Sequence, residues 1–262
     1  MDPREGLIAR TLVRSMRRPL LVASHNIMDG LQLPELLQCY TQLQARGVGP
    51  SRTRGLGFML LQENVPIAAS KSDAAAVIAR RLGPRYSCAR CDDEKRLAIV
   101  FDRQRFRHRG SAAVTLPQLP SLTWFERLYI KGPGPELKRA LLSTFEERRR
   151  GLGRGSRGSR GRGRHRRQWA VVNIHLDAAG SNDFRRTQMD TVSRALLQWA
   201  QSLRWDERSA RRFGEVIVGA DTNCFALSRE RQSLALRDIL GPLRRQAIED
   251  TVRTARSPDP VF

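Results

Sequence analysis

The chain has 262 residues, 40% of them hydrophobic, enough for one large domain or two small ones with a core that stands alone. Its 47 Lys and Arg against 26 Asp and Glu give a net charge of +21, which favours anionic partners: nucleic acid, anionic lipid or phosphorylated substrates. Four cysteines are too few for a disulfide-stapled scaffold, and no apolar run reaches the roughly 20 residues that span a bilayer. The cysteine usage suits a reducing compartment, so a cytoplasmic or nuclear location is expected.

Residues 1–17 form a basic N-terminal extension. Its early acidic residues and the short apolar stretch Leu20–Ala23 do not make a signal-peptide core. Its arginines suit either a mitochondrial-type targeting segment or an ordinary lead into a domain covering 18–262. Leu20 to Ala23 then reads as a strand that ends in Ser24, His25 and Asn26. Leu33, Leu36, Leu37, Tyr40 and Leu43 recur at helical spacing, closed by Gly47. Phe58 to Leu61 is a second strand, ending in Gln62 and Glu63. SKSDAAAVIARRLG predicts a short helix, with Ser70 or Ser72 as its cap and Gly83 as its stop. Cys88 and Cys91 form a lone CxxC without a second pair at zinc spacing, and read as ordinary thiols.

Leu97 to Phe101 reads as a third strand and TWFERLYI as a fourth, while ELKRALLSTFEERRR suits a helix within an insertion. From about 146 to 167 the chain turns to arginine and glycine; residues 148–167 hold ten arginines and six glycines. Such a segment repels itself and cannot bury a core, which predicts a disordered loop. Lying just before the next strand, it is expected either to bind anions near substrate or to be an inert low-complexity loop. WAVVNIHLD is that strand. FRRTQMDTVSRALLQWAQSLR is an amphipathic helix with Met189, Val192, Ala195, Leu196 and Trp199 on one face. Val216 to Val218 is a further strand, and SLALRDILGPLRRQ a helix as far as Gly241.

Four of these strands end alike, in carboxylate, amide or imidazole: VASHN at Asn26, MLLQE at Glu63, VVNIH at His175 and VIVGAD at Asp221, with Asn223 two residues on. Such convergence points to one site. Glu63 and Asp221 are hard oxygen ligands suited to Mg²⁺. Asn26 and Asn223 can bind metal or phosphate oxygens without adding negative charge. His175 can donate to a developing oxyanion or move a proton near neutral pH. The chemistry this set suits is in-line attack of water on a phosphate ester.

The ordered set SHN26, QE63, NIH175LD and GAD221TN223 resembles the endonuclease/exonuclease/phosphatase superfamily, whose fold is that of deoxyribonuclease I. HLDAAGSNDFRRTQM is similar to that family's His-Leu-x strand followed by an Arg-x-x-Gln helix. The likeness runs over about 18–245, apart from the basic insertion. It implies a four-layered α/β sandwich, two packed mixed β-sheets flanked by helices, and a phosphoesterase dependent on Mg²⁺ or Mn²⁺. By the same resemblance Glu63 would be the principal metal ligand, assisted by Asn26 at the metal or phosphate. His175 would contact the scissile phosphate. Asp221 would orient or activate the attacking water, with Asn223 beside it on the phosphate. Gln62 and Asn173 would support the strand ends, and Asp177 would lie in a loop or behind the site. The implied substrate is a polyanion, DNA or RNA ahead of a phosphorylated lipid headgroup, and the implied state a monomer.

The family's terminal Asp-His pair has no counterpart, since no histidine follows His175. The sandwich is therefore expected to be incomplete at its C-terminal end, in a truncated chain or in a degenerate member that binds nucleic acid without turning it over. Other polar residues have blander expectations. His25 faces away from Asn26, His108 and His165 are solvated among arginines, and Cys224 is a small buried thiol. Arg185 and Arg186 meet either a phosphate or solvent, and Tyr86 and Glu94 carry no assigned role.

Overall fold

A computed structural model describes residues 20–27, 33–34, 36–38, 56–64, 72–119, 137–148, 167–178, 180–202, 213–223, 234–235 and 237–243. The strands Leu21–Asn26 (β1), Leu56–Gln62 (β2), Tyr86–Cys91 (β3) and Glu94–Asp102 (β4) form one sheet in the order β1-β2-β4-β3. Strand β1 runs parallel to β2, whereas β4 is antiparallel to both of its neighbours, so this sheet is mixed. Phe106–Thr115 (β5), Arg139–Glu147 (β6), Gln168–His175 (β7) and Phe213–Asp221 (β8) form the second sheet in sequence order. The helices are Ala74–Leu82 (α1) and Asn182–Ser202 (α2). Two compact units result. Met1–Ala113, Leu141–Ile174 and Asp206–Asp221 carry α1, the first sheet and nearly all of the second. Val114–Ala140, His175–Trp205 and Thr222–Phe262 carry α2.

Within the first unit the layers follow from the two-residue period of a strand. Phe58 and Leu60 of β2, with Leu97, Ile99 and Phe101 of β4, turn one way and meet Phe106, Leu141, Phe145, Trp169, Val171 and Ile217 of the second sheet. Leu56, Met59 and Leu61, with Ala98 and Val100, turn the other way onto Ala74, Ala75, Ile78 and Ala79 of α1. Covered on both faces, β2 is buried at every position, which is why its sequence is a continuous apolar run rather than an alternation. An aromatic cluster fills the space between the sheets. Phe58 stands 4.4 Å from Phe106 and 4.9 Å from Phe145, and Phe106 meets Trp169 edge-on at 5.9 Å. Two packed four-stranded sheets with helices are the architecture that the strand-end motifs imply.

Several expectations need correction. ELKRALLSTFEERRR contains β6, not a helix. Its Leu, Ala and Glu are good helix formers, but Ala140 to Glu146 are buried on both faces, and tertiary burial outweighs propensity. Its polar residues are taken up by β5: Ser143 shares a 2.7 Å hydrogen bond with Ser111, and Glu146 pairs with Arg109. Strands β3 and β5, YSCARC and FRHRGSAAVT, escape the apolar signal because both are sheet edges, where charge guards against unwanted pairing. Asp73, not Ser70 or Ser72, caps α1, accepting from the Ala76 N–H at 2.9 Å; Gly83 ends the helix at φ 106° as expected. Residues 33–34, 36–38, 234–235 and 237–239 are helical, as their spacing predicts, and 241–243 are helical too, so Gly241 is not the stop expected of it. TWFERLYI, residues 1–17, His165, Cys224 and the arginine-glycine stretch 149–166 lie outside the described residues.

His108 is not fully solvated. It is half-buried, 5.3 Å from the Phe145 ring and 6.1 Å from Phe101, and burial lowers its pKa below the ordinary value of 6.5. The unfolded chain protonates first, so the stability this ring contributes is complete above its unfolded pKa and is lost as pH falls through the lowered folded value. Between about pH 7 and 5 the Tm of the parent protein should therefore fall more steeply than that of a His108→Gln variant. Thermal melts followed by circular dichroism check this; parallel slopes would refute it.

Candidate functional site

The parallel pairing of β1 with β2 sets Asn26 opposite Gln62, the last residue of β2, and so brings Glu63 to the same edge. There the Asn26 side-chain amide donates to Glu63 Oε1 at 2.8 Å and to Asp221 Oδ2, at the end of β8, at 2.6 Å. His175 is the last residue of β7. One ligand atom each from Glu63, His175 and Asp221 lies within 4.8 Å of the others. Asn26 thus joins Glu63 to Asp221 at this edge. Two carboxylates this close repel each other unless a cation or hydrogen-bond donors lie between them. Two carboxylates and an imidazole grouped in this way could hold a metal ion.

Glu63 and Asn223 are the only non-glycine residues with positive φ among those described, at 56° and 46°. Left-handed backbone costs a glutamate about 1–2 kcal/mol, and persists only where its surroundings over-determine it. Both neighbours of Glu63 are locked. Gln62, 1% exposed, donates to Asn173 Oδ1 at 2.5 Å and to Ser24 Oγ at 3.1 Å. Asn64, also 1% exposed, donates to Asp73 and to the Lys95 carbonyl, and accepts from the Ala75 N–H at the start of α1. The carboxylate is therefore held in a strained pose between two buried hydrogen-bond networks. A Glu63→Gly variant should lose activity yet gain about 1 kcal/mol of stability in metal-free buffer, read as a rise in denaturation midpoint. A fall in midpoint would show that the strain is not real.

The other strand ends are held in their own ways. Gly219 lets β8 approach β1 and β2, since a Cβ there would come within 2.7 Å of Leu60 Cδ2 and 3.0 Å of Ser24 Oγ. In the second unit, Asn223 donates to the Leu176 carbonyl at 2.7 Å. Arg185 turns away from solvent. It is 6% exposed and donates to the carbonyls of Asp177 and Ala178 at 2.9 and 2.8 Å. Gln188 accepts from the Asp177 N–H at 3.0 Å and donates to the Pro117 carbonyl. The Arg-x-x-Gln pair of α2 thus clamps the backbone that leaves His175, a role that solvent-face reasoning misses. Asp177 itself is buried in that clamp, and Arg186 is exposed.

The remaining candidates are not part of the Glu63, His175 and Asp221 group. Tyr86 pairs with Asp102 at the far end of the first sheet, and burial pushes its pKa up to about 12. Glu94 accepts from the Arg96 N–H, shaping a local turn. His25 is half-buried, and burial lowers its pKa. Cys88 packs against the α1 side of its sheet and Cys91 against the opposite side, so the two thiols cannot share a metal. Burial pushes the Cys88 pKa up to about 11, and its thiol donates to the Ala75 carbonyl.

No protein-family model matches the chain, and no curated protein sequence does either. Among solved structures, the human Nocturnin catalytic domain with bound sulfate is similar at 18% identity and a TM-score of 0.45, over 87% of this chain and 72% of that one. Humanized D. rerio TDP2 aligns at 14% identity and a TM-score of 0.42, over 82% of this chain and 65% of that one. An endonuclease/exonuclease/phosphatase family protein from Bacteroides thetaiotaomicron aligns at 13% identity and a TM-score of 0.45, over 84% and 66%.

Proposed function

We propose that the protein is a divalent-metal-dependent phosphoesterase of the endonuclease/exonuclease/phosphatase type, a nuclease or phosphodiesterase that hydrolyses phosphodiester bonds with water. The observation that carries this reading is the convergence of Glu63, His175 and Asp221 at the strand ends, with Asn26 donating to both carboxylates. Glu63 and Asp221 would hold Mg²⁺ or Mn²⁺, which when bound supplies positive charge for a phosphate oxygen. His175 donates a hydrogen bond to a phosphate oxygen, and its charge can follow the reaction near neutral pH. Asp221 accepts from the attacking water and orients it. Asn26 keeps the two carboxylates in register, and Asn223 adds a neutral amide beside the phosphate. The net charge of +21 supports a polyanionic substrate, DNA or RNA ahead of a phosphorylated lipid headgroup. A monomer in the cytoplasm or nucleus completes the proposal. Among the described residues no helix is long and apolar enough to cross a membrane.

The test is product release from DNA, RNA, phosphoinositide and sphingomyelin in Mg²⁺ or Mn²⁺. Product that chelation abolishes supports the reading, and no product from any substrate overturns it. The same charge favours a second reading, a catalytically impaired nucleic-acid-binding protein on this fold. Its signature is nucleic-acid binding that survives Glu63→Gln and Asp221→Asn without any hydrolysis.

A further inference from the structure

The end of the first unit remote from Glu63 carries a basic cavity of its own. Pro84, Arg85, Arg103, Gln104 and Arg148 line a space of ≈ 540 Å³. Strands β3, β4, β5 and β6 meet around it: Arg85 precedes β3, Arg103 and Gln104 form the β4–β5 turn, and Arg148 follows β6. Its frame is tied by backbone hydrogen bonds, Arg103 N–H to the Arg85 carbonyl at 2.9 Å and Arg148 N–H to the Arg105 carbonyl at 2.6 Å. The Asp102 carboxylate fixes the Arg85 guanidinium at 2.5 Å, and Glu147 holds Arg105 at 3.0 Å. Arg103 and Arg148 are exposed, and both contribute side chains to the lining.

Topology separates this cavity from the metal-type cluster. Phe101 pairs with Phe58, so the β4–β5 turn lies beyond the start of β2 while Glu63 lies beyond its end, about 17 Å along the strand. The Glu147 N–H donates to the Arg167 carbonyl at 2.8 Å, which places both flanks of the arginine-glycine stretch at this same end. His175 lies at the other end of β7, about 23 Å away. The flanks of that stretch therefore do not adjoin the His175 end of the strand, contrary to the expectation from sequence order. Its residues 149–166 add eight more arginines to the charge that enters and leaves here.

We propose that the Arg85–Arg103–Arg148 cavity is a second phosphate-binding site, which engages the backbone of a nucleic acid at a distance from the strand-end cluster. It rests on the nucleic-acid reading of the substrate and gives that reading a second anchor. The lining favours nucleic acid over a lipid surface. The guanidiniums of Arg103 and Arg148 can take phosphate oxygens in bidentate fashion, Arg85 is held beside them by Asp102, and Gln104 offers a neutral donor and acceptor. The lining contains no large apolar side chain to enter a bilayer. A ligand that spans both anchors must be several nucleotides long, since about 20 Å covers roughly six base steps.

The test compares the Arg103→Gln/Arg148→Gln double variant with an equal-charge control, Arg81→Gln/Arg186→Gln, whose arginines are exposed on α1 and α2. Fluorescence anisotropy in EDTA reads binding of RNA and DNA oligonucleotides of about 20 nucleotides across a salt series. The cavity variant should bind about tenfold more weakly at physiological salt and lose about 2 from the slope of log affinity against log salt. The control should match the parent, and hydrolysis of bis(p-nitrophenyl) phosphate should be unchanged in the cavity variant. Equal weakening in the control, or parental binding in the cavity variant, overturns the proposal. So does weaker binding to phosphatidylserine vesicles with nucleic-acid binding intact. Cavity-dependent binding by a parent that hydrolyses nothing would support this site while sinking the enzymatic reading.

Discussion

Replacing Glu63 with glutamine should lower phosphodiester hydrolysis by on the order of 10²–10³-fold and leave the fold intact, the scale on which one preorganised charge stabiliser contributes. The substitution preserves shape, and the new side chain still presents an oxygen to the Asn26 amide that now reaches Glu63 Oε1. What disappears is one of two negative charges in a cluster spaced for a cation. Metal-free stability should stay level or rise, because the repulsion between positions 63 and 221 is relieved. Steady-state kinetics at saturating Mg²⁺ with a parallel thermal melt separates the two effects. Lost activity with an unchanged melt marks a ligand. Lost activity with a collapsed melt would mark a structural residue, and unchanged activity would remove Glu63 from the chemistry.

Asn173→Leu should be the most destabilising of the substitutions considered, by about 3–5 kcal/mol. Asn173 is fully buried in β7, yet its amide donates to the Leu61 and Ala98 carbonyls of the first sheet at 2.8 and 3.0 Å. Its oxygen accepts from Gln62 at 2.5 Å. A single side chain thus joins the two sheets through three hydrogen bonds directly behind Glu63. Leucine keeps the volume but leaves two carbonyls and the Gln62 amide each short of a buried partner, at about 1–3 kcal/mol apiece. Urea unfolding should show the loss as a lower midpoint at constant m-value, and the Tm should fall by roughly 6–12 °C. A loss below about 1 kcal/mol would mean that the network relaxes around the gap. Hydrolysis should fall as well, because Gln62 holds one side of the strained Glu63 backbone.

The polar strand ends are legible in the sequence because they interrupt apolar strands. Asn26, Glu63, His175 and Asp221 stand out for this reason, and parallel pairing of β1 with β2 then brings the first two together. The means of holding them is not legible. Asn64 looks like one more polar residue after Glu63, although it ties the strand end to the α1 cap. The left-handed backbone of Glu63 has no signature in residue type, since glutamate rarely adopts it. Arg185 lies on a helix that reads as amphipathic, and only the path of the chain after His175 reveals its carbonyl partners.

Fold elements divide along similar lines. Strands covered on both faces, such as β2 and β4, announce themselves as apolar runs. The edge strands β3 and β5 do not, because an edge is protected by the very charges that hide it. Strand β6 misleads further, since helix-forming residues carry it and burial alone makes it a strand. Sequence order also misplaces the flanks of the arginine-glycine stretch. Adjacency to the β7 strand says nothing about which end of that strand is meant, and Arg167 lies at the end away from His175.

The central claim is that Glu63 and Asp221 hold one divalent ion, and a calorimetric titration with Mn²⁺ tests it most directly. The parent should bind one ion, and Asp221→Asn should weaken that binding by at least tenfold while the Tm of the metal-free protein holds or rises. Unaltered Mn²⁺ affinity in Asp221→Asn, or no specific binding by the parent, would contradict the account.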